Sequence, residues 1–489
     1  MAGPANSKRA SSVRPALNIF SLLDHQTGRY LRGKHGAWYL NGGYHHIMGW
    51  AGRGNTFKTA ISAYTSLAAA IRYNLEWFEF FDTEMSFSFV ERMQEFMRRI
   101  PEAKGKTVQE YIMENRWNFT TLAQQLGDVW WYDLRQTATE RAKIKDNKKR
   151  VTPFKELDGT YCAVIDPWMF MIDSFTEMKI TSIEKLHDKA EVGDADLNVE
   201  AMRAGAAKSQ MMGQMAITNE VGNYYISLTA HAGDEIKMDQ YSPSHKKLAG
   251  LKGDLKLKGI PEKFTFAANN CYIATSTGPL LNKSTKLPQF PHPDKPEVVG
   301  DTDLQIVRYE QLRGKSGPTG IVLDLVFSQA EGLLVGVTEF YYILEMCKGF
   351  GLDIKGNNQG FRLDLYPDVY FTRKEIRTLL DTDPKFARAV SITAAMAYMH
   401  YNWFTMEPEL KPTMVDLYRN IKDQGYDWNE ILSDTVEYWY FEDCAKHIGK
   451  PTLTARTLLD MNIGKHVATY LKTHPTKEAV KEFAAKLAA

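Results

Sequence analysis

Cysteine is scarce in this 489-residue chain: there are four, Cys162, Cys271, Cys347 and Cys444, and no two stand at CxxC spacing. That argues against structural zinc and a disulfide framework, and it fits a reducing, intracellular compartment. No apolar run reaches the roughly 18 residues a membrane helix needs, so no membrane partner is expected. The N-terminal MAGPANSKRASSVRPALN holds small and basic residues without an apolar core. It is no secretory signal and reads as a short mobile tail. An excess of either charge is missing too: 60 Lys+Arg face 59 Asp+Glu, a formal net charge of +1. A polyanionic partner must therefore be held by local patches. What is present, 44% hydrophobic and 24% charged residues, describes a globular chain long enough for two or three domains.

The apolar runs alternate with helical patterns. HHIMGWA (45–51) reads as a strand, GRGNTFKT as a glycine loop, and TAISAYTSLAAAIRYN as a helix. WFEFFD (77–82) is a second strand, followed by an amphipathic helix from about 86 to 100, and DVWWYDL (128–134) is a strand candidate. Two apolar runs flank Asp166-Pro167 between 160 and 178, a helix-like segment covers 197 to 221, and YYISLTA (224–230) is another strand. DLQIVRYEQLR and GIVLDLVF add two more. Strands that are apolar throughout, separated by helices, predict an α/β fold with a mostly parallel sheet covered on both faces. Beyond about 346 the pattern is helical apart from a turn-rich stretch near 350–370. Aromatic segments such as AMAYMHYNWF and TVEYWYFEDC predict a C-terminal helical domain, and KEAVKEFAAKLAA a closing amphipathic helix. The expected division is 1–34, 35–345 and 346–489.

Residues 49–59, GWAGRGNTFKT, come close to the phosphate-loop pattern G-x-x-x-x-G-K-[ST]. Gly52, Lys58 and Thr59 are in place, but Phe57 stands where the second glycine belongs. Such a loop works because backbone N–H groups and a helix N-terminus converge on an anion while lysine neutralises the phosphates and the hydroxyl meets Mg²⁺. The competing reading is a glycine-containing turn that happens to precede a lysine. Nucleotide hydrolysis also needs a carboxylate near Mg²⁺ and a group to orient water. MFMIDS ends an apolar run in Asp173; CAVID ends another in Asp166, but Pro167 follows at once and suits a central strand poorly. Asp173 is therefore preferred. FFDTEMS sets Asp82 and Glu84 just past a strand end, where open α/β sheets carry their sites. A helix N-terminal acid is the plainer role for Glu84.

In order along the chain, GRGNTFKT, FFDTE, MFMIDS, LTAH and QLRGK resemble the RecA-type recombinases, most closely the UvsX-type strand-exchange proteins of large tailed phages. The resemblance spans about 35–345, and that phage group likewise has phenylalanine before the loop lysine. It implies a RecA-like sheet flanked by helices, with the C-terminal helical domain as an addition. ATP and Mg²⁺ are the implied cofactors, and DNA-dependent ATP hydrolysis coupled to strand exchange the implied activity. Gly52, Arg53, Gly54, Asn55, Thr56, Phe57, Lys58 and Thr59 resemble the Walker A loop, with Lys58 on phosphate and Thr59 on Mg²⁺. Asp173 resembles the Walker B aspartate that holds Mg²⁺ through water, and Glu84 the glutamate that activates the attacking water. His231 is similar to the residue that senses the γ-phosphate; otherwise it is a polar strand-end residue. Arg313 and Lys315 resemble the basic pair that reaches a neighbour's ATP across a filament; otherwise they belong to a solvated turn. The implied partners are single-stranded DNA, further copies in a helical filament, and mediator and single-strand-binding proteins. The implied location is the host-cell cytoplasm if the chain is phage-encoded.

Between 237 and 263 seven lysines face Asp239, Asp254 and Glu262, with Tyr241 and His245 interleaved. Lys237, Tyr241, Lys246, Lys247, Lys252, Lys256 and Lys258 form the expected DNA-binding set, lysines following the backbone and the ring stacking on bases. A merely solvated loop is the alternative. The segment 179–197 stands where a first DNA loop falls in the family, but its acids outnumber its bases. TERAKIKDNKKR (139–150) reads as a solvated helix face, and Met211, Met212 and Met215 as core. Two rival functions share the same motifs: a hexameric DnaB-like helicase, and a scaffold that keeps the fold without turnover.

Overall fold

The computed structural model describes residues 11–85, 89–103, 105–188, 200–234, 255–261, 263–315, 317, 319–356, 360–403 and 406–488. At its centre is a ten-stranded sheet. Its strands are β1 Ile47–Gly52, β2 Trp77–Asp82, β3 Trp117–Thr121, β4 Trp168–Asp173, β5 Tyr224–Asp234, β6 Leu255–Leu257, β7 Asn270–Pro279, β8 Leu304–Gly314, β9 Val322–Ser328 and β10 Gly332–Leu333. The order is β10-β9-β8-β7-β1-β5-β4-β2-β3, with β6 paired to β5. From β7 across to β3 every pairing is parallel, whereas β8, β9, β10 and β6 join antiparallel. The expected class, α/β with a mostly parallel sheet and a helical C-terminal region, is what the chain adopts.

Why the strands read as unbroken apolar runs is visible in β4. Met169 and Met171 enter one core, while Phe170 and Ile172 enter the other. β1 divides in the same way, Met48 and Trp50 against Ile47 and Ala51. Both faces are covered, so both parities must be apolar. The loop helix Lys58–Arg72 fills the first face with Ile61, Tyr64, Leu67 and Ala68. Helices Gly127–Arg141 and Glu200–Gly222 cover the second with Trp130, Trp131, Leu134, Met211, Met212 and Met215. The methionine cluster is therefore core, as expected.

Several expectations fail for identifiable reasons. DVWWYDL lies inside the helix Gly127–Arg141, not in a strand. Its buried residues, Trp130, Trp131, Leu134, Ala138 and Arg141, recur at helical spacing, which a seven-residue window hides. The edge strand is instead Trp117–Thr121, whose outward side is polar. The N-terminal tail is docked from residue 11 onward: Val13, Ala16 and Leu17 are buried, and the Tyr225 hydroxyl donates to the Pro15 carbonyl at 2.6 Å. The turn-rich stretch near 350–370 is a three-stranded antiparallel sheet of Leu352–Lys355, Gly360–Leu363 and Tyr366–Thr372. TVEYWYF is not helical. It runs past the core so that Trp439 reaches Tyr73 (4.7 Å between centroids) and Phe154 (5.2 Å), and its indole N–H donates to the Ala16 carbonyl at 2.8 Å.

The basic run 139–150 is not wholly a solvated face. Arg141 is buried, donating to the Gly222 carbonyl at 2.9 Å and lying 3.9 Å from the Trp168 ring. AMAYMHYN does lie in a helix, Pro384–Asn402, started by Asp383 accepting from the Lys385 and Phe386 N–H groups. The closing helix is Lys477–Ala488, with Val480 buried. Among the described residues no helix is long and apolar enough to cross a membrane.

Candidate active site

The carboxyl ends of β1, β2, β4 and β5 lie side by side, because Asp82 registers with Asp173 and Gly52 with His231. β1 runs into the loop 52–57, and the helix Lys58–Arg72 begins at once. A Cβ on Gly52 would meet Thr56 Oγ1 at 2.4 Å, whereas one on Gly54 would meet nothing within 4 Å. Gly52 is thus fixed by the fold, and Gly54 leaves the loop's outer side open. Phe57 caps the helix in the left-handed region, φ 57° and ψ 26°, the conformation a glycine would take more easily. Its ring stacks on Phe327 of β9 at 4.8 Å, and the Tyr309 hydroxyl holds the Thr56 carbonyl at 2.7 Å. Packing against the antiparallel flank thus offsets the strain of the missing glycine.

Lys58 is 8% exposed, and its ammonium donates to the Arg53 carbonyl at 2.8 Å; Thr56 Oγ1 donates to the same oxygen at 2.8 Å. Burial lowers the lysine pKa, and Asp173 and Glu84 oppose that. Asp173 is buried between two hydroxyls. Thr59 Oγ1 donates to its Oδ2 at 2.5 Å and Thr229 Oγ1 to its Oδ1. Burial raises its pKa and those hydroxyl bonds lower it. The turn after β4 is tied to the one after β2, since Thr83 N–H donates to the Asp173 carbonyl at 2.8 Å and Thr83 Oγ1 to the Ser174 carbonyl at 2.6 Å.

Glu84 projects from that second turn, which Asp82 shapes by accepting from the Glu84 and Met85 N–H groups at 2.9 and 3.0 Å. Glu84 Oε1 meets His231 Nε2 at 2.8 Å, and this hydrogen bond is the main reason its carboxyl stays below the usual range. Lys58, Thr59, Asp173, Glu84 and His231 are therefore gathered at one end of the sheet. Thr229 belongs with them but escaped the sequence reading. Its signal was available: along a strand Thr229 and His231 share a face.

Arg313 and Lys315 stand elsewhere. Gly314 registers with Asn270 and Asn270 with Met48, four residues before Gly52. At ~3.3 Å per residue the pair sits about 13 Å along the strands from the loop of its own chain. Lys315 Nζ donates to the Ala267 carbonyl at 3.0 Å, and Arg313 lies 5.5 Å from the Phe266 ring. Asp166, the rejected candidate, is at the opposite end of β4 in contact with Arg150.

Of the expected DNA-binding residues, Lys237, Tyr241, Lys246, Lys247 and Lys252 lie outside the described residues. So does most of the segment 179–197, of which Thr181–His187 forms a short helix. Lys256 stands in β6 opposite Gly233, and Lys258 is exposed just beyond. The lysine-rich segment is thus closed at its base by an antiparallel pairing, Asp234 with Leu255, on the strand that carries His231.

No family model matches the chain, and no curated protein matches it. Solved structures do. A crystal structure of the RadB recombinase is similar over 60% of this chain and 92% of its own, with 14% identity and a TM-score of 0.31. A second solved structure, of an isolated ATPase domain, is similar over 59% of this chain and 84% of its own, with 14% identity and a TM-score of 0.30. Overlap of that extent says nothing about activity.

Proposed function

We propose that this chain is an ATP-dependent DNA recombinase, which forms filaments on single-stranded DNA and promotes homologous pairing and strand exchange. The observation that carries the reading is the gathering of Lys58, Thr59, Asp173, Glu84 and His231 at the carboxyl ends of adjacent strands, beside a loop that opens a helix. In this reading the backbone N–H groups of residues 52–57 cradle the phosphates. Lys58, sharing or exchanging its bond to the Arg53 carbonyl, neutralises them.

The donor set fits Mg²⁺. A threonine hydroxyl and a carboxylate 2.5 Å apart are hard oxygen donors, and this ion is ordinarily held by one or two such groups together with substrate phosphates and water. Bound there through Thr59 and Asp173, it supplies charge neutralisation for the transferring phosphoryl group. Glu84, kept ionised by His231, accepts the proton of an attacking water. His231 holds Glu84 on one side and the backbone leading to the lysine-rich segment on the other.

What supports a trans role for Arg313 and Lys315 is their distance from their own loop. They serve a neighbouring copy, so assembly and hydrolysis are one event. Lys256, Lys258 and the segment between β5 and β6 are proposed to follow DNA phosphates. The test is the rate of ATP hydrolysis with and without single-stranded DNA, followed by negative-stain imaging. DNA-stimulated turnover with open helical filaments is expected. Closed rings replace the reading with a hexameric helicase, and absence of turnover in both conditions replaces it with a scaffold.

A further inference from the structure

Lys208 is a buried ammonium with no use in the site described so far. It stands on the helix Glu200–Gly222, only 4% exposed, and among the described residues no carboxylate pairs with it. Burying a charge in this way is costly unless its protons are satisfied. Its Nζ donates to the carbonyl oxygens of Thr176 at 2.5 Å and Gly259 at 3.3 Å, and it lies 6.0 Å from the Phe175 ring. Burial pulls its pKa down to about 8, with Glu177 opposing.

The two carbonyls belong to segments with different duties. Thr176 is in the turn that follows Asp173, and Gly259 follows β6, where the lysine-rich segment rejoins the sheet. The same turn makes two more ties. Thr176 Oγ1 accepts the His231 N–H at 2.9 Å and donates to the Lys258 carbonyl at 3.3 Å. The Lys258 N–H in turn donates to the His231 carbonyl at 2.9 Å. Gly259 is left-handed, φ +63°, and a Cβ there would stand 3.1 Å from Thr176 Cγ2, so the close approach requires glycine. Every connection in this knot except one is made by backbone or a small hydroxyl. The exception is Lys208, which reaches in from a separate helix and holds both sides.

We propose that Lys208 is a positioning residue that clamps the exit of the lysine-rich segment to the Asp173 turn, so that the segment responds to what is bound at the strand ends. A knot held only by single hydrogen bonds can open at β6 while the Asp173 turn stays in place. With the ammonium bridging both carbonyls, the two move together. The responsive half of this proposal rests on the nucleotide reading above; the clamp itself does not.

The test uses the full chain as wild type, Lys208→Met and Lys208→Arg, digested with limiting trypsin, and scores cleavage at the lysines between 237 and 258. Without nucleotide, the methionine variant should be cut there at least about fivefold faster than wild type, because two charge-assisted bonds that hold the base are gone. Cleavage elsewhere should be unchanged and the arginine variant close to wild type. Equal cleavage in wild type and Lys208→Met overturns the clamp, and equal acceleration throughout the chain reduces Lys208 to a general stabiliser, which also overturns it. A non-hydrolysable ATP analogue with Mg²⁺ is then added, its binding followed by fluorescence. Wild type should change its cleavage at these sites several-fold, whereas Lys208→Met should bind the analogue and change little. A methionine variant that keeps the wild-type response, or a wild type that binds without responding, overturns the coupling. Failure of wild type to bind the analogue sinks the nucleotide reading instead and leaves the clamp decided by the first digestion.

Discussion

Asp166 and Asp173 end apolar runs seven residues apart, and in the fold they occupy opposite ends of one strand with opposite surroundings. Asp166 is locked by cations. Arg150 meets its carboxylate and also holds Asp443 at 2.8 Å and the Tyr73 carbonyl at 3.1 Å, while the Glu76 N–H donates to Asp166 at 2.9 Å. Asp173 is as buried, but its oxygens meet only the hydroxyls of Thr59 and Thr229. One carboxylate has its charge cancelled within the chain and joins the core to Asp443 in the C-terminal region. The other keeps its charge available. Burial without a cancelling partner is the mark of a group placed for something to bind, and it costs stability in the meantime.

Substituting each aspartate by asparagine should separate the two ends. Asp173→Asn should cut ATP hydrolysis by at least about 100-fold, on the scale of losing one electrostatic group from a transition state. The thermal midpoint should hold or rise, because burial disfavours the carboxylate charge at this position. Lys58→Ala should give the same loss of turnover and remove nucleotide-dependent assembly. Asp166→Asn should do the reverse, costing about 3 kcal/mol because Arg150 is left buried and half-paired, with turnover per folded molecule unchanged. Loss of activity in Asp166→Asn without loss of stability would invert the assignment of the two ends.

Phe57 sharpens the comparison from the loop side. Replacing it by glycine relieves about 1 kcal/mol of left-handed strain. It also gives up the stack on Phe327, about 1 kcal/mol, about 1–1.5 kcal/mol from a half-buried ring, and about 0.5 kcal/mol for a more flexible unfolded chain. The losses win, and Phe57→Gly should be destabilised by about 1–2 kcal/mol in denaturant titration. A stabilised variant would mean that the ring merely tolerates its position.

Legibility in the sequence followed the range of the forces involved. The parallel strands were readable because a strand covered on both faces is apolar at every position, and the loop because its chemistry fixes residue types at short spacing. Asp173 was separable from Asp166 only through Pro167, a local backbone constraint. What stayed hidden depends on distant partners. Trp439 in an extended segment packs on Tyr73 and Phe154, and the residues around Pro15 are ordered by Tyr225 and Trp439 rather than by any pattern of their own. DVWWYDL misled because two adjacent tryptophans look like a strand until Ala138 and Arg141 extend the spacing. Lys208 carried no signal at all, since one lysine in a helix looks like any other.

The smallest expected effect bears on the link between Glu84 and His231. The hydrogen bond from His231 keeps the Glu84 carboxyl below its ordinary value of 4.5. A carboxylate with a depressed folded pKa contributes stability that is fully present above its unfolded value and lost as pH falls through the folded one. The stability difference between wild type and Glu84→Gln should therefore be flat from neutral pH down to about 5 and shrink below it. Because the Glu84 side chain is 30% exposed, solvent screening holds the whole effect under about 1 kcal/mol. Activity reports the same bond with better contrast. With Glu84 as proton acceptor, the acid limb of the hydrolysis profile lies below the usual carboxylate range in wild type, and His231→Ala should move it upward. An acid limb that stays in place after His231 is removed would show that the 2.8 Å contact does not tune the acceptor, and His231 would then act only through its backbone ties to Thr176 and Lys258.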